Sequence, residues 1–192
     1  MVLPNQIAIA AEQGDVAAVE AWLKDEGNDV NDLDDKYNDT MLINCLGTTT
    51  TRTASHNNLV RLLIEHGADV DTWAHGNAGV SLSALHFAYD GIVDISTDAV
   101  SLLLDAKANV HCRTRVTNGS MPVDTPLGTT LYHFQHRQFG ASVDFSPVLQ
   151  IVTALLRAGA SLDNVTDESS AETSLREAEE ARPFLRDNET FA

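Results

Sequence analysis

Cysteine is scarce in this 192-residue chain: Cys45 and Cys112 stand alone in unrelated contexts. That excludes a disulfide framework and a cysteine-based metal site, and makes a reducing compartment the expected setting. Aromatic residues amount to 6% within a 43% hydrophobic composition, so the core has to be aliphatic and alanine-rich. Such a core suits closely packed helices better than a β-sandwich. No apolar run approaches the roughly 18 residues that cross a bilayer. The first residues, Met1 to Asp15, carry no basic stretch ahead of their short apolar one. Neither a membrane span nor a secretory leader is therefore expected, and the location expected is intracellular, most simply cytoplasmic.

Positive charge is also in short supply. Twelve Lys and Arg face 28 Asp and Glu, a formal net charge of −16. That sign repels phosphate, so neither a nucleic acid nor an anionic membrane is expected as a partner. The acidity is concentrated at the two ends, with −8 over residues 1–40 and −6 over residues 163–192, leaving −2 for the middle. End units of a stacked protein must keep one face polar to stay soluble, which accounts for this distribution. An alternative reading is an acidic surface that mimics nucleic acid and inhibits a DNA- or RNA-binding protein. A mimic should be acidic throughout, whereas the middle here is nearly neutral.

What the chain does have is repetition. An apolar, helix-like stretch followed by a Gly-Ala-Asp-Val-like turn recurs four times. The copies are Val16 to Leu23 with Asp29-Val30-Asn31, Leu59 to Asp71, Val100 to His111, and Ile151 to Asp163. In each, apolar residues fall at i, i+3 and i+4, the spacing of one helical face. Gly67 and Gly159 supply the left-handed residue that stops such a helix. The third copy has Ala106-Lys107 at this place, which predicts a looser stop.

With these segments the chain resembles the ankyrin-repeat family, whose unit is a β-turn finger followed by two antiparallel helices. The inner-helix signature Thr-Pro-Leu-His-x-Ala returns in altered forms: Ser83-Ala84-Leu85-His86-Phe87-Ala88, Thr40-Met41-Leu42-Ile43-Asn44-Cys45, and Thr125-Pro126-Leu127. Ile7 to Asp15 is similar to the end of an inner helix with its glycine-bearing turn, and Glu172 to Ala181 to the inner helix of an incomplete fifth unit. The signature has a physical logic. Thr or Ser caps the helix, Pro fits its first position, Leu enters the core, and the His ring bonds backbone in the finger. The resemblance implies an all-α solenoid of helix-turn-helix units with β-hairpin or loop fingers. It would be a single domain over residues 1–192, with approximate units 3–34, 35–74, 78–113 and 121–165 and a partial C-terminal cap at 166–190.

The equivalent positions Asp29, Asp69, Asn109 and Ser161 lie 40, 40 and 52 residues apart, whereas the family period is about 33. The surplus falls at Gly47 to Ser55, in the finger from His111 to Asp124, and from His136 to Pro147. Loop closure costs grow only logarithmically with length, so such insertions are tolerated. They are also where a repeat protein carries its individuality.

The chemistry-bearing residues do not assemble into a catalytic pattern. His133 and His136 share a helical spacing but lack further ligands at zinc-site distances. His86 stands at the signature position, and His66 precedes a helix-ending glycine, where a partial positive charge suits the helix C-terminus. Cys45 replaces the signature Ala and is expected to be buried. No Gly-rich loop followed by Lys-Ser/Thr is present. No catalytic residue, metal or cofactor is expected, and an enzyme is the least supported class. Leu23 with Asp29-Val30-Asn31 resembles the site at which asparaginyl hydroxylases modify ankyrin hairpins, which would make Asn31 a substrate where such an enzyme is present.

The family resemblance implies a protein–protein interaction module, a monomeric scaffold or adaptor binding through finger tips and the concave inner-helix face. By position the contact residues are Lys36, Tyr37, Asp39 and Thr48, then Trp73, His75 and Asn77, then Arg113, Arg115 and Asn118. Trp, Tyr and Arg are the residue types most often found as binding hot spots. Trp73 either anchors a partner or packs back over its own hairpin. Trp22, in the apolar stripe of the first outer helix, is expected in the core. Residues 106–140 carry a net charge of +3 in this acidic chain, which fits either a solvated loop or a contact for an acidic segment of a partner protein.

Overall fold

The computed structural model describes residues 2–47, 52–75, 80–89, 97–116, 125–136 and 146–161. Among the described residues four helix pairs follow one another. They are α1 (Asn5–Glu12) with α2 (Val16–Leu23), α3 (Met41–Leu46) with α4 (Ala54–Glu65), α5 (Ala84–Tyr89) with α6 (Thr97–Asp105), and α7 (Pro126–His136) with α8 (Ser146–Arg157). The first helices pack in a row, α1 on α3, α3 on α5 and α5 on α7. The second helices form a parallel row, α2 on α4, α4 on α6 and α6 on α8. This is a stack of two-helix units, as the periodicity predicts.

The helices begin where short polar side chains can cap them. Asp15 accepts from the Ala18 amide at 3.1 Å and Thr40 from that of Ile43 at 3.3 Å. Thr125 accepts from the Gly128 amide at 3.2 Å. Each bond satisfies a donor that the first helical turn leaves open, and each contributes about 1 kcal/mol. The signature leucines Leu42, Leu85 and Leu127 lie within 2% exposure, buried between successive units. The outer helices add Leu59 and Leu63, Ala99 and Leu103, and Ile151 and Leu155, pairs four residues apart on one face. A fully buried Leu contributes about 1.5–3 kcal/mol, so this continuous seam is the main source of stability. Trp22 is half-buried and packs against the seam's edge.

Gly67 and Gly159 end α4 and α8 at φ +87° and +95°. Their amides bond to the carbonyls of Ile64 and Leu156 at 3.0 Å. Lys107 does the same work at φ +68°, bonding to Leu104 at 3.0 Å. The looser stop expected in the third copy is therefore absent: the turn keeps its geometry and Lys107 bears the left-handed strain.

The units are also stitched by short side chains. Asn31 accepts the Asp69 amide at 2.7 Å, and Asp71 accepts the Asn109 amide at the same distance. Each bond joins the start of one finger to the next, so the near-forty spacing of these residues is the register of the stack. The small strands lie in the fingers. β1 (Val2–Leu3) runs parallel to β2 (Leu33–Asp34), while β3 (Trp73–His75), β4 (Val80–Ser83) and β5 (Arg115–Val116) form an antiparallel sheet in that order. Because β5 belongs to the following unit, this sheet crosses a unit boundary, a connection the sequence reading did not include. The C-terminal helix expected over 172–181 lies outside the described residues, as do residues 48–51 and 137–145 of two of the insertions and residues 117–124 of the third finger.

Candidate partner-binding edge

The first finger is shaped by one buried carboxylate. Asp34, 3% exposed, accepts the amides of Lys36 at 2.9 Å and Tyr37 at 2.6 Å, and the Asn44 amide group at 2.9 Å. Leu33 bridges to Thr40, and Asn38 takes φ +54°, so the chain reverses tightly. The turn pushes Lys36 and Tyr37 into solvent and leaves Asp39 half-buried. The Lys36 ammonium sits 4.4 Å from the Tyr37 ring centroid. Its hydrogen bond to the Tyr37 side chain raises the lysine pKa above its ordinary value.

The second and third fingers meet. Arg115 lies on β5, opposite Ser81 of β4, and its guanidinium stacks 4.1 Å from the Trp73 ring centroid. Planar, weakly hydrated guanidinium on the electron-rich indole face is a favourable cation–π contact. It joins two residues 42 positions apart, one unit on. Trp73 is half-buried: its ring lies 6.5 Å from the buried His86 ring of its own unit, and its face carries Arg115 of the next finger. Along the segment leading into β5, His111, Arg113 and Arg115 are exposed while Thr114 is buried. Three cationic or ionisable side chains are thus solvent-exposed on the approach to β5. His75 lies on β3 opposite Ser81. Thr48, Asn77 and Asn118, the other expected contact residues, lie outside the described residues.

Beneath this edge the polar groups are occupied with structure. His86 is fully buried, and its Nδ1 lies 2.7 Å from the Ser83 hydroxyl and accepts the Ser83 amide at 3.4 Å. The same hydroxyl is 3.2 Å from the Cys112 thiol, which ties the third finger to the cap of α5. Burial raises the Cys112 pKa, partly offset by the Ser83 hydrogen bond. Cys45 is wholly buried and its pKa is pushed up to about 12 by desolvation, leaving an inert thiol.

Two residues that organise the stack are not singled out by the sequence reading. His56 accepts the Thr53 amide on Nδ1 at 3.1 Å, so its Nε2–H donates to the Glu12 carbonyl at 3.1 Å, in the first unit. Arg52 reaches carbonyls of the third unit. A cap spacing, Thr53-x-x-His56, was visible for the former, matching Ser83-x-x-His86. Among the described residues no group of three or more His, Cys, Asp or Glu is placed to hold a metal ion, and no helix is long and apolar enough to cross a membrane. A polar groove of about 300 Å³ between α4 and α6, lined by Asn57, Arg61, Asp98 and Asp105 among others, lies on the outer row instead.

Stacked helix pairs whose hairpins join along one edge define a helical-repeat binding scaffold. Residues 7–114 match the ankyrin repeats, in three copies, and the chain belongs to that family. The match covers the first three helix pairs as far as Thr114, and the fourth pair continues the stack beyond it. Ankyrin repeats are in general protein–protein interaction modules and typically non-catalytic. No curated protein matches the chain.

Proposed function

We propose that this chain is an interaction module or adaptor that holds a partner protein along its finger edge and the adjoining concave face of the inner helices. The observation that carries this reading is the Trp73–Arg115 stack, which spans two fingers, with exposed Arg113 two residues before Arg115 in the chain. Arg and Trp are the residue types interfaces favour, and Arg113 and Arg115 are exposed here. The excess of positive charge on this segment of an acidic chain fits an acidic segment of the partner. Lys36, Tyr37 and Asp39 extend the strip at the first finger, with His75, Asn77, Thr48 and Asn118 as its remaining members by position.

The experiment is site-specific photo-crosslinking in extract of the source cells. A photoreactive residue at position 113 should capture a protein that one at Arg61 or Ser101, in the outer groove, does not. Capture from the outer helices alone would assign binding to the opposite side. Displacement of DNA from basic DNA-binding proteins by the purified chain would favour the nucleic-acid mimic instead.

A further inference from the structure

Between α3 and α4 the chain runs through a string of threonines interrupted by one charge, Arg52. Its guanidinium donates to the Ala88 carbonyl at 2.7 Å, to the Phe87 carbonyl at 2.6 Å, and to the carbonyl of Leu46. Leu46 closes α3 of the second unit, and Phe87 and Ala88 lie in the last turn of α5 in the third. The last four carbonyls of any helix have no partner within it, and they carry the negative end of its dipole. One planar cation with five donors therefore satisfies the ends of two consecutive inner helices at once. The fit is close: a Cβ at Gly47 would come within 3.1 Å of the Ile43 carbonyl and 3.4 Å of the Phe87 ring.

His56, four residues on, faces the other way. Its Nε2–H reaches the Glu12 carbonyl at the end of α1, while its Nδ1 caps α4 through Thr53. The Gly14 backbone, at φ +70°, lies so close that an added Cβ would be 2.9 Å from the imidazole. The segment from Arg52 to His56 thus holds the end of the inner helix on either side of its own unit. At the opposite, finger edge the same boundaries are held by the Asn31–Asp69 and Asp71–Asn109 bonds.

We infer that the segment from Arg52 to His56 is a structural clamp, and that Arg52 couples the second and third units so that they open together. In a repeat stack each unit contacts only its neighbours, so the cooperativity of opening is set by the boundary interactions. A charged donor shared among part-buried carbonyls is among the stronger ones available. Removing it should let the third unit open locally while the second stays folded.

Hydrogen exchange by mass spectrometry on the full chain tests this. Arg52→Ala should speed amide exchange in the peptides of α5 and α6 by about tenfold, the scale expected when charge-assisted hydrogen bonds are lost. Exchange in α1 and α2 should change much less. Arg52→Lys, which keeps the charge but not the fork, should give an intermediate rate. His56→Gln should show the opposite asymmetry, with α1 and α2 affected first. Acceleration confined to residues 47–56, or unchanged exchange in α5 and α6 of both Arg52 variants, would overturn the inference. If Arg52→Ala does not fold, the Arg52→Lys profile decides alone.

Discussion

Lys107 offers a clean test of whether these helix ends are governed by backbone conformation. It sits at φ +68°, where Gly67 and Gly159 stand in the neighbouring units, and its turn has the same hydrogen bonds. A left-handed conformation costs an L-residue roughly 1–2 kcal/mol. Glycine avoids that cost but loses more freedom on folding, which returns about 0.5–1 kcal/mol. Lys107→Gly should therefore stabilise the protein by about 0.5–1 kcal/mol and raise the thermal midpoint by a few degrees, at ~2–4 °C per kcal/mol for this size. The converse changes, Gly67→Ala and Gly159→Ala, meet no atom within 4 Å of the added Cβ, so their cost is conformational alone. Each should destabilise by about 1 kcal/mol. Urea titration followed by far-UV circular dichroism reads all three, and Lys107→Ala, which removes the charge but keeps the Cβ, should be nearly neutral. Lys107→Gly that destabilises, or Gly67→Ala without effect, would show that backbone conformation does not govern these helix ends.

Two further outcomes follow from buried groups. Because burial holds the Cys45 pKa near 12 while the unfolded thiol titrates near its ordinary 9.0, only the unfolded state loses that proton in between. Stability should be unaffected below about pH 8 and fall as pH rises toward 12, and Cys45→Ala should flatten that decline in melts from pH 8 to 11. Native Cys45 should also resist alkylation until the protein unfolds. Gly14→Ala should cost about 2 kcal/mol or more, since the position combines a left-handed backbone with a clash against His56. Combining it with His56→Ala should be less than additive in a chemical-denaturation cycle, because the clash is then gone.

The stack was legible in the sequence because its signals are local. Apolar residues at i, i+3 and i+4 mark the buried faces, and Thr40 and Thr125 cap where the signature places them. Leu42, Leu85 and Leu127 are buried because each heads an inner helix toward the next. Pairings between distant residues were not legible. Nothing near Arg52 announces that its partners are Phe87 and Ala88, some 35 residues away. His56 looks like a polar residue at a helix start until its second nitrogen is seen to meet Glu12. At the candidate edge the residue types were readable and their arrangement was not. Trp73 and Arg115 share a near-forty spacing with the ladder of Asn31 and Asp71, yet a stacking contact depends on the strand register that joins two fingers. Lys107 shows the reverse case, where a departure from glycine suggested a change of structure and the fold held the turn regardless.

Whether the finger edge engages a protein partner is read out by a binding titration of charge-reversed protein against the captured partner. The double variant Arg113→Glu and Arg115→Glu should weaken affinity, with the loss greatest at low salt, while the thermal midpoint barely moves. Trp73→Ala should cost on the order of 2 kcal/mol of affinity, because it removes both the indole and the platform that holds Arg115. Unchanged affinity in both variants, alongside loss of binding on altering Arg61 and Ser101 of the outer row, would contradict finger-edge binding.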